Sequence, residues 1–150
     1  MGALTAIQQT RAALTVTGLS TLASGTYVAS NAYDCSANDP LEVFVEVAVA
    51  TTNTVGGNFK VDAFIQASLD GTNFTSGPTS GTSDTDRADL HFLGSVPMNS
   101  SSTTHRKIFP VSPLFGGFLP ASFKVVLKND VGVALTSGTV HTAEVQGNSA

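Results

Sequence analysis

Tryptophan is absent from the 150-residue chain, cysteine occurs once, and only 12% of the residues are charged. The single thiol, Cys35, cannot form an internal disulfide, as expected of a protein made in a reducing cytoplasm. Without Trp, the best aromatic platform for sugars is missing. The charged share is about half that of an ordinary soluble domain. Long solvated helices, which want Glu, Lys and Arg on their outer face, are therefore poorly supplied. Seven Lys and Arg against eleven Asp and Glu leave a formal charge of −4. With no basic run, nothing is available to displace the counterions of a nucleic acid. No apolar run approaches the roughly 18 residues of a membrane helix. The N-terminus, MGALTAIQQTRAALTV, lacks the charged-then-apolar layout of a secretory signal. Neither a nucleic acid nor a membrane is expected as partner.

What the chain does have is 41% hydrophobic residues set among Ser, Thr, Asn and Gly. At this length that suits one domain with its own core. The clearest pattern is LEVFVEVAVA at 41–50, where Leu41, Val43, Val45, Val47 and Val49 share one face. Period-two alternation with β-branched residues predicts a half-buried strand. Residues 59–69 repeat it, with Phe59, Val61, Ala63, Ile65 and Ala67 on one side. The Gly56-Gly57 stretch between them reads as a turn, so the two strands are expected to pair antiparallel. Asp70-Gly71 predicts a tight hairpin, and 76–87 a surface loop. Further strands are expected at 26–30, 89–96, 105–111, 123–128, 133–136 and 139–146, with 114–120 as a glycine-broken crossover. About eight strands with frequent turns predict an all-β, jelly-roll-like sandwich.

Residues 1–25 differ in texture. Leu4, Ile7, Arg11 and Leu14 fall at helix-like spacing. They suit either a short amphipathic helix on the chain's own core or an extended N-terminal arm that reaches a neighbour. The domain division expected is an arm at 1–25 and one sandwich at 26–150.

The chemistry-bearing residues form no coherent constellation. His91, His105 and His141 are scattered, and no G-x-S-x-G elbow exposes a serine. Three separated histidines and one cysteine offer no spaced metal ligands. The acidic stretch at 84–89 lacks the other positions of an EF-hand loop and carries Arg87. Cys35 has no cationic neighbour in sequence to activate it. No catalytic residue, metal or cofactor is therefore expected. Phe44 and Phe64 stand out instead, because both occupy the nominally polar faces of their strands. They are expected to meet on a partner-covered face rimmed by Glu42, Glu46, Lys60 and Asp62.

Several segments, in order, resemble tailed-bacteriophage virion structural proteins of the capsid decoration, or cement, type. They are LSTLASGTYVAS at 19–30, YDCS at 33–36 and ASLDGTNF at 67–74, then LPASFKVVLKN at 119–129 and GVAL at 132–135. Cys35 departs from the Asp-Asn-Ser such proteins tend to carry. The resemblance implies a non-enzymatic β-sandwich on the outer surface of a phage head. Its partner would be the major capsid protein, and it would act as a homo-oligomer, a dimer or trimer. Leu4, Ile7, Arg11, Leu14, Phe44 and Phe64 are the expected partner-binding residues. A carbohydrate-binding or neck or tail module of a virion, and a small hydrolase, are the alternatives.

Overall fold

The computed structural model describes residues 4–52, 58–78, 80, 89–100 and 103–149. Two antiparallel sheets face each other. The first holds β1 (Leu4–Gln8), β2 (Ala12–Leu14), β5 (Glu42–Ala50), β8 (His105–Pro110) and β10 (Ser137–Ser149). The second holds β3 (Tyr27–Ala29), β4 (Tyr33–Asp34), β6 (Lys60–Ser68), β7 (His91–Pro97) and β9 (Ser122–Asp130). β1 and β2 pair with successive parts of β10, and β3 and β4 with successive parts of β9. Each duo occupies one strand position. Counted that way, the sheet orders are 1-8-3-6 and 2-7-4-5, the interleaved order of a jelly roll.

Alternation builds the core. Val43, Val45, Val47 and Val49 point inward from β5, and Val61, Ala63 and Ile65 from β6, all fully buried. Phe123, Val125 and Leu127 of β9 complete the same cluster. The expected strands at 41–50 and 59–69 are thus present within a residue or so, but they do not pair. β5 lies between β10 and β8, and β6 between β9 and β7. Alternation fixes which face a strand buries, not which strand lies beside it. β5 is an interior strand of one sheet and β6 of the other, so both contribute their buried faces to the same core between the sheets. The connecting turn at 53–57 lies outside the described residues.

The described start of the chain is extended through Leu14 and not α-helical, and one 3-10 turn, Leu19–Thr21, follows. β1 and β2 supply the edge that the long β10 would otherwise leave unpaired. Leu14 and Val16 then pack against the core, and Leu19 and Leu22 are buried within it. Residues 12–22 thus pair with β10 and pack against the core of the sandwich. The expected strand at 133–136 is a turn that places Leu135 in the core, while β10 runs unbroken through 137–149. At 114–120 the crossover begins with a 3-10 turn, Ser112–Phe115. Its first amides are held by Glu42, whose Oε1 accepts from Val111 N at 3.0 Å and Ser112 N at 2.9 Å.

Candidate partner-binding face

The outer faces of the two sheets are treated differently. On the β6 sheet, the chain covers itself. Phe64, Tyr27, Val126 and Leu90 form a second buried cluster. The described part of the 74–90 segment lies over it: Pro78 is buried, Ser80 Oγ accepts from Ala29 N at 2.9 Å, and Lys124 Nζ sits 4.4 Å from the Phe74 ring centroid. Lys60 and Asp62 pair there at 3.1 Å. Phe64 is therefore an internal residue. The expected meeting of Phe44 with Phe64 does not occur, since they project from opposite sides of the sandwich.

The outer face of the β5 sheet is open. Register places Glu46 at its middle, beside His141 of β10 and Ile108 of β8. Phe44 lies beside Ala143 and Pro110, and Ala48 beside Thr139 and Arg106. Ala143 is small and buried, so the sheet is hollowed there. The result is a pocket of about 320 Å³ lined by Gln8, Arg11, Phe44, Glu46, Ile108, His141, Thr142 and Ala143. Ile108 remains 58% exposed at its rim, and Phe44 is half-buried.

Charge gathers around one carboxylate. Glu46 Oε1 lies 3.4 Å from Arg11 Nε, 3.7 Å from Arg106 Nε and 3.8 Å from His141 Nδ1. Arg11 Nη2 also lies 3.2 and 3.3 Å from the two ring nitrogens of His141. The Glu46 side chain is only 13% exposed, while those of Arg11 and Arg106 are 48% and 54% exposed. Its Oε1 is shut off from solvent and accepts no hydrogen bond among the described residues. The carboxylate is thus held by charge and not by directed bonds, with more cation than anion around it.

Of the six residues selected from sequence, Arg11 and Phe44 come together in this pocket. Leu4 and Ile7 sit on β1, opposite Ser149 and Gln146, with Ile7 exposed. Leu14 packs inward and Phe64 faces the far side. Sequence reasoning missed Arg106, Ile108 and His141. The alternation of 105–110 carried the signal, because it sets Arg106 and Ile108 on the face opposite buried Phe109.

The histidines are not brought together. His91 meets Phe115 edge-on at 4.7 Å, and His105 Nε2 lies 2.9 Å from Ser100 O. The Asp84-to-Ala88 part of the acidic stretch lies outside the described residues. Cys35 is buried. Burial, with the negative charges of Asp34 and Glu144, pushes its thiol up to about 12, which leaves it a poor nucleophile.

A second polar cluster ties the sheets at their first-strand edges. The Tyr33 hydroxyl donates to Glu144 Oε1, and Asn38 Nδ2 and Gln146 Nε2 donate to Oε2 at 3.2 and 2.7 Å. Burial pushes the Glu144 carboxyl up, but these bonds outweigh it and hold the group below its ordinary range. Burial, then the bond to Glu144, lifts the Tyr33 phenol well above its ordinary value.

No family model matches the chain, and no curated protein matches it. Among solved structures, one match is the infectious bursal disease virus Gt strain, at 15% identity and a TM-score of 0.15, covering 99% of this chain and 40% of that one. Another is a mutant VP2 protein of the same virus in derived T=1 particles, at 14% identity and a TM-score of 0.16, covering 98% of this chain and 38% of that one. The chain spans less than half the length of either, and likeness at this level carries no structural argument.

Proposed function

We propose that the protein is a virion structural protein of the decoration or cement type, seated on the outside of a phage head. The observation that carries this reading is the unequal treatment of the two outer faces. The chain covers the middle of the β6 face with its own residues, leaving Phe92 exposed beside Phe64, and leaves the β5 face open, with Phe44 and Ile108 around a pocket that holds Arg11, Glu46 and His141. Apolar side chains set beside arginines are the make-up of a contact surface. The order of the cement-type segments along the sequence supports the same reading. Each copy would bridge capsid subunits, and many modest contacts repeated over a lattice would add through effective concentration.

The test uses heads assembled without this protein, from the phage that encodes it. Purified protein should co-sediment with them saturably, at a fixed number of copies per capsomer, and raise the temperature at which they rupture. Failure to bind intact, expanded heads would defeat the reading. Saturable binding on a glycan array instead would favour the carbohydrate-binding alternative.

A further inference from the structure

We propose that the pocket on the β5 face takes a single carboxylate, borne by an Asp or Glu side chain flanked by apolar residues in a surface segment of the major capsid protein. The inference rests on the cement reading for the identity of the partner, and on the pocket itself for the chemistry. Arg11 in the pocket wall and Arg106 beside it set two guanidinium groups against the one Glu46 carboxylate, a local excess of one positive charge. One monoanion balances it. A phosphate dianion would overshoot it. Both arginines meet Glu46 through Nε and are half-exposed, and Arg11 Nη2 also lies against the His141 ring. A planar guanidinium fork suits a carboxylate, and gains strength where water is thinned out.

The apolar part of the ligand is specified by the walls. Phe44 and Ile108 flank the charges, and Ala143 leaves the depression into which a methylene stem fits. A free small anion would use none of this surface. A side chain on a peptide uses both the charge and the apolar rim, and lays its neighbours on Ile108. The volume, about 320 Å³, lies at the small end for ligand sites, which run from roughly 300 Å³ upward. That fits one side chain and not a whole cofactor.

The experiment titrates the isotope-labelled intact protein with the blocked peptide acetyl-Leu-Glu-Leu-amide, and follows the Arg11 and Arg106 Nε–H signals and the Ile108 methyls. Acetyl-Leu-Gln-Leu-amide and inorganic phosphate are run beside it. The expected result is saturable shifts at those groups with the Glu peptide, at least tenfold weaker affinity for the Gln peptide, and loss in Arg11→Gln and Arg106→Gln. Each variant's backbone spectrum reports its folding, and Ile108→Ser, at an exposed position, provides a third variant. Equal affinity for the Gln peptide, or preference for phosphate, overturns the proposal. So does concentration-dependent self-association of the wild type that Arg106→Gln abolishes, because a second copy would then be the occupant. Head binding separates the two readings. If the wild type binds heads and the arginine variants bind equally well, the pocket proposal fails and the cement function stands. If the Glu peptide binds as expected but the wild type ignores heads, the carboxylate site stands and its assignment to a capsid partner falls.

Discussion

Gly94 of β7 faces Phe109 of β8 across the seam between the sheets, and a β-carbon on Gly94 would lie 2.5 Å from Phe109 Cε1. The missing side chain is what lets the ring close that seam. Gly94 also holds φ at +153°, which L side chains rarely adopt. Beside it the β6–β7 register slips, Ala63 pairing with Gly94 and Phe64 with Phe92. Near the other side of the sandwich, Leu19 lies over Gly138, where a β-carbon would come within 2.4 Å of Leu19 Cγ. Both sides are closed by a large side chain resting on a glycine.

Alanine at either glycine should therefore overpack. Gly138→Ala is expected to destabilise the fold by about 1–3 kcal/mol, and Gly94→Ala by more, because the backbone strain adds. Shortening the partner should relieve the clash. In urea unfolding, Gly94→Ala with Phe109→Leu should show a coupling of about 0.5–3 kcal/mol. Strict additivity would mean that ring and glycine are not in contact.

Asn129 is fully buried and bridges three segments. Its Nδ2 donates to Leu22 O and Val133 O, both at 2.8 Å, and its Oδ1 accepts from Val131 N at 2.9 Å. Asn129→Leu fills similar volume but orphans those groups, at about 1–3 kcal/mol for each that stays dry. Thermal unfolding should show a large loss. A variant as stable as the wild type would mean that water reaches the turn.

How far the sequence carried this picture depends on the range of each signal. Val43 to Val49 announced a strand and its buried face, because alternation is local. Their neighbours are chosen by competition among all strands, so the pairing was not legible. Phe64 was placed on the outward face of its strand, correctly, but only the fold brings Leu90 and Tyr27 over it. Leu4, Ile7, Arg11 and Leu14 matched a helical period, yet the open edge of β10 drew the segment into strands. Arg11 and Phe44, both selected from the sequence, are brought by the fold into one pocket. The Ile108 and His141 that share their pocket, and the Arg106 beside Glu46, come from β8 and β10, and no local pattern joins them.

The two phenylalanines should now separate experimentally. Phe64→Ala removes a buried ring from its cluster and is expected to lose about 3–5 kcal/mol. Phe44→Ala on the open face should fold with little change but weaken head binding. Comparable unfolding midpoints for the two variants would contradict the inside-outside assignment.

Alkali should loosen the fold through Cys35 and Tyr33. Both acids have their pKa raised on folding, the thiol from 9.0 to about 12 and the phenol upward from 10.0. The folded state then keeps protons that the unfolded chain releases. Stability from these groups is fully present below pH 9 and falls as pH rises toward 12. Urea midpoints at pH 8, 9.5 and 11 should decline, and Cys35→Ala and Tyr33→Phe should each flatten the decline. A thiol reagent should label Cys35 at pH 8 only after unfolding. Rapid labelling of the native protein would show the thiol open to solvent.

Graded N-terminal deletions test where attachment ends and folding begins. Removing residues 1–10 takes β1 alone, which pairs only with the far part of β10. Arg11, β2 and the core residues remain, so unfolding should shift little. Removing 1–18 also takes Arg11 from the pocket and the Leu14 and Val16 packing from the core. That deletion should weaken both stability and head binding. Removing 1–22 takes Leu19 and Leu22, two buried core leucines. Truncating a buried leucine to alanine costs about 2–5 kcal/mol, and two such losses consume most of a stability of about 5–15 kcal/mol. The longest deletion should therefore yield no cooperative unfolding transition in calorimetry. A cooperative transition near the wild-type temperature would place the start of the domain after Leu22, and the N-terminal segment would then be an arm laid on a sandwich that does not need it.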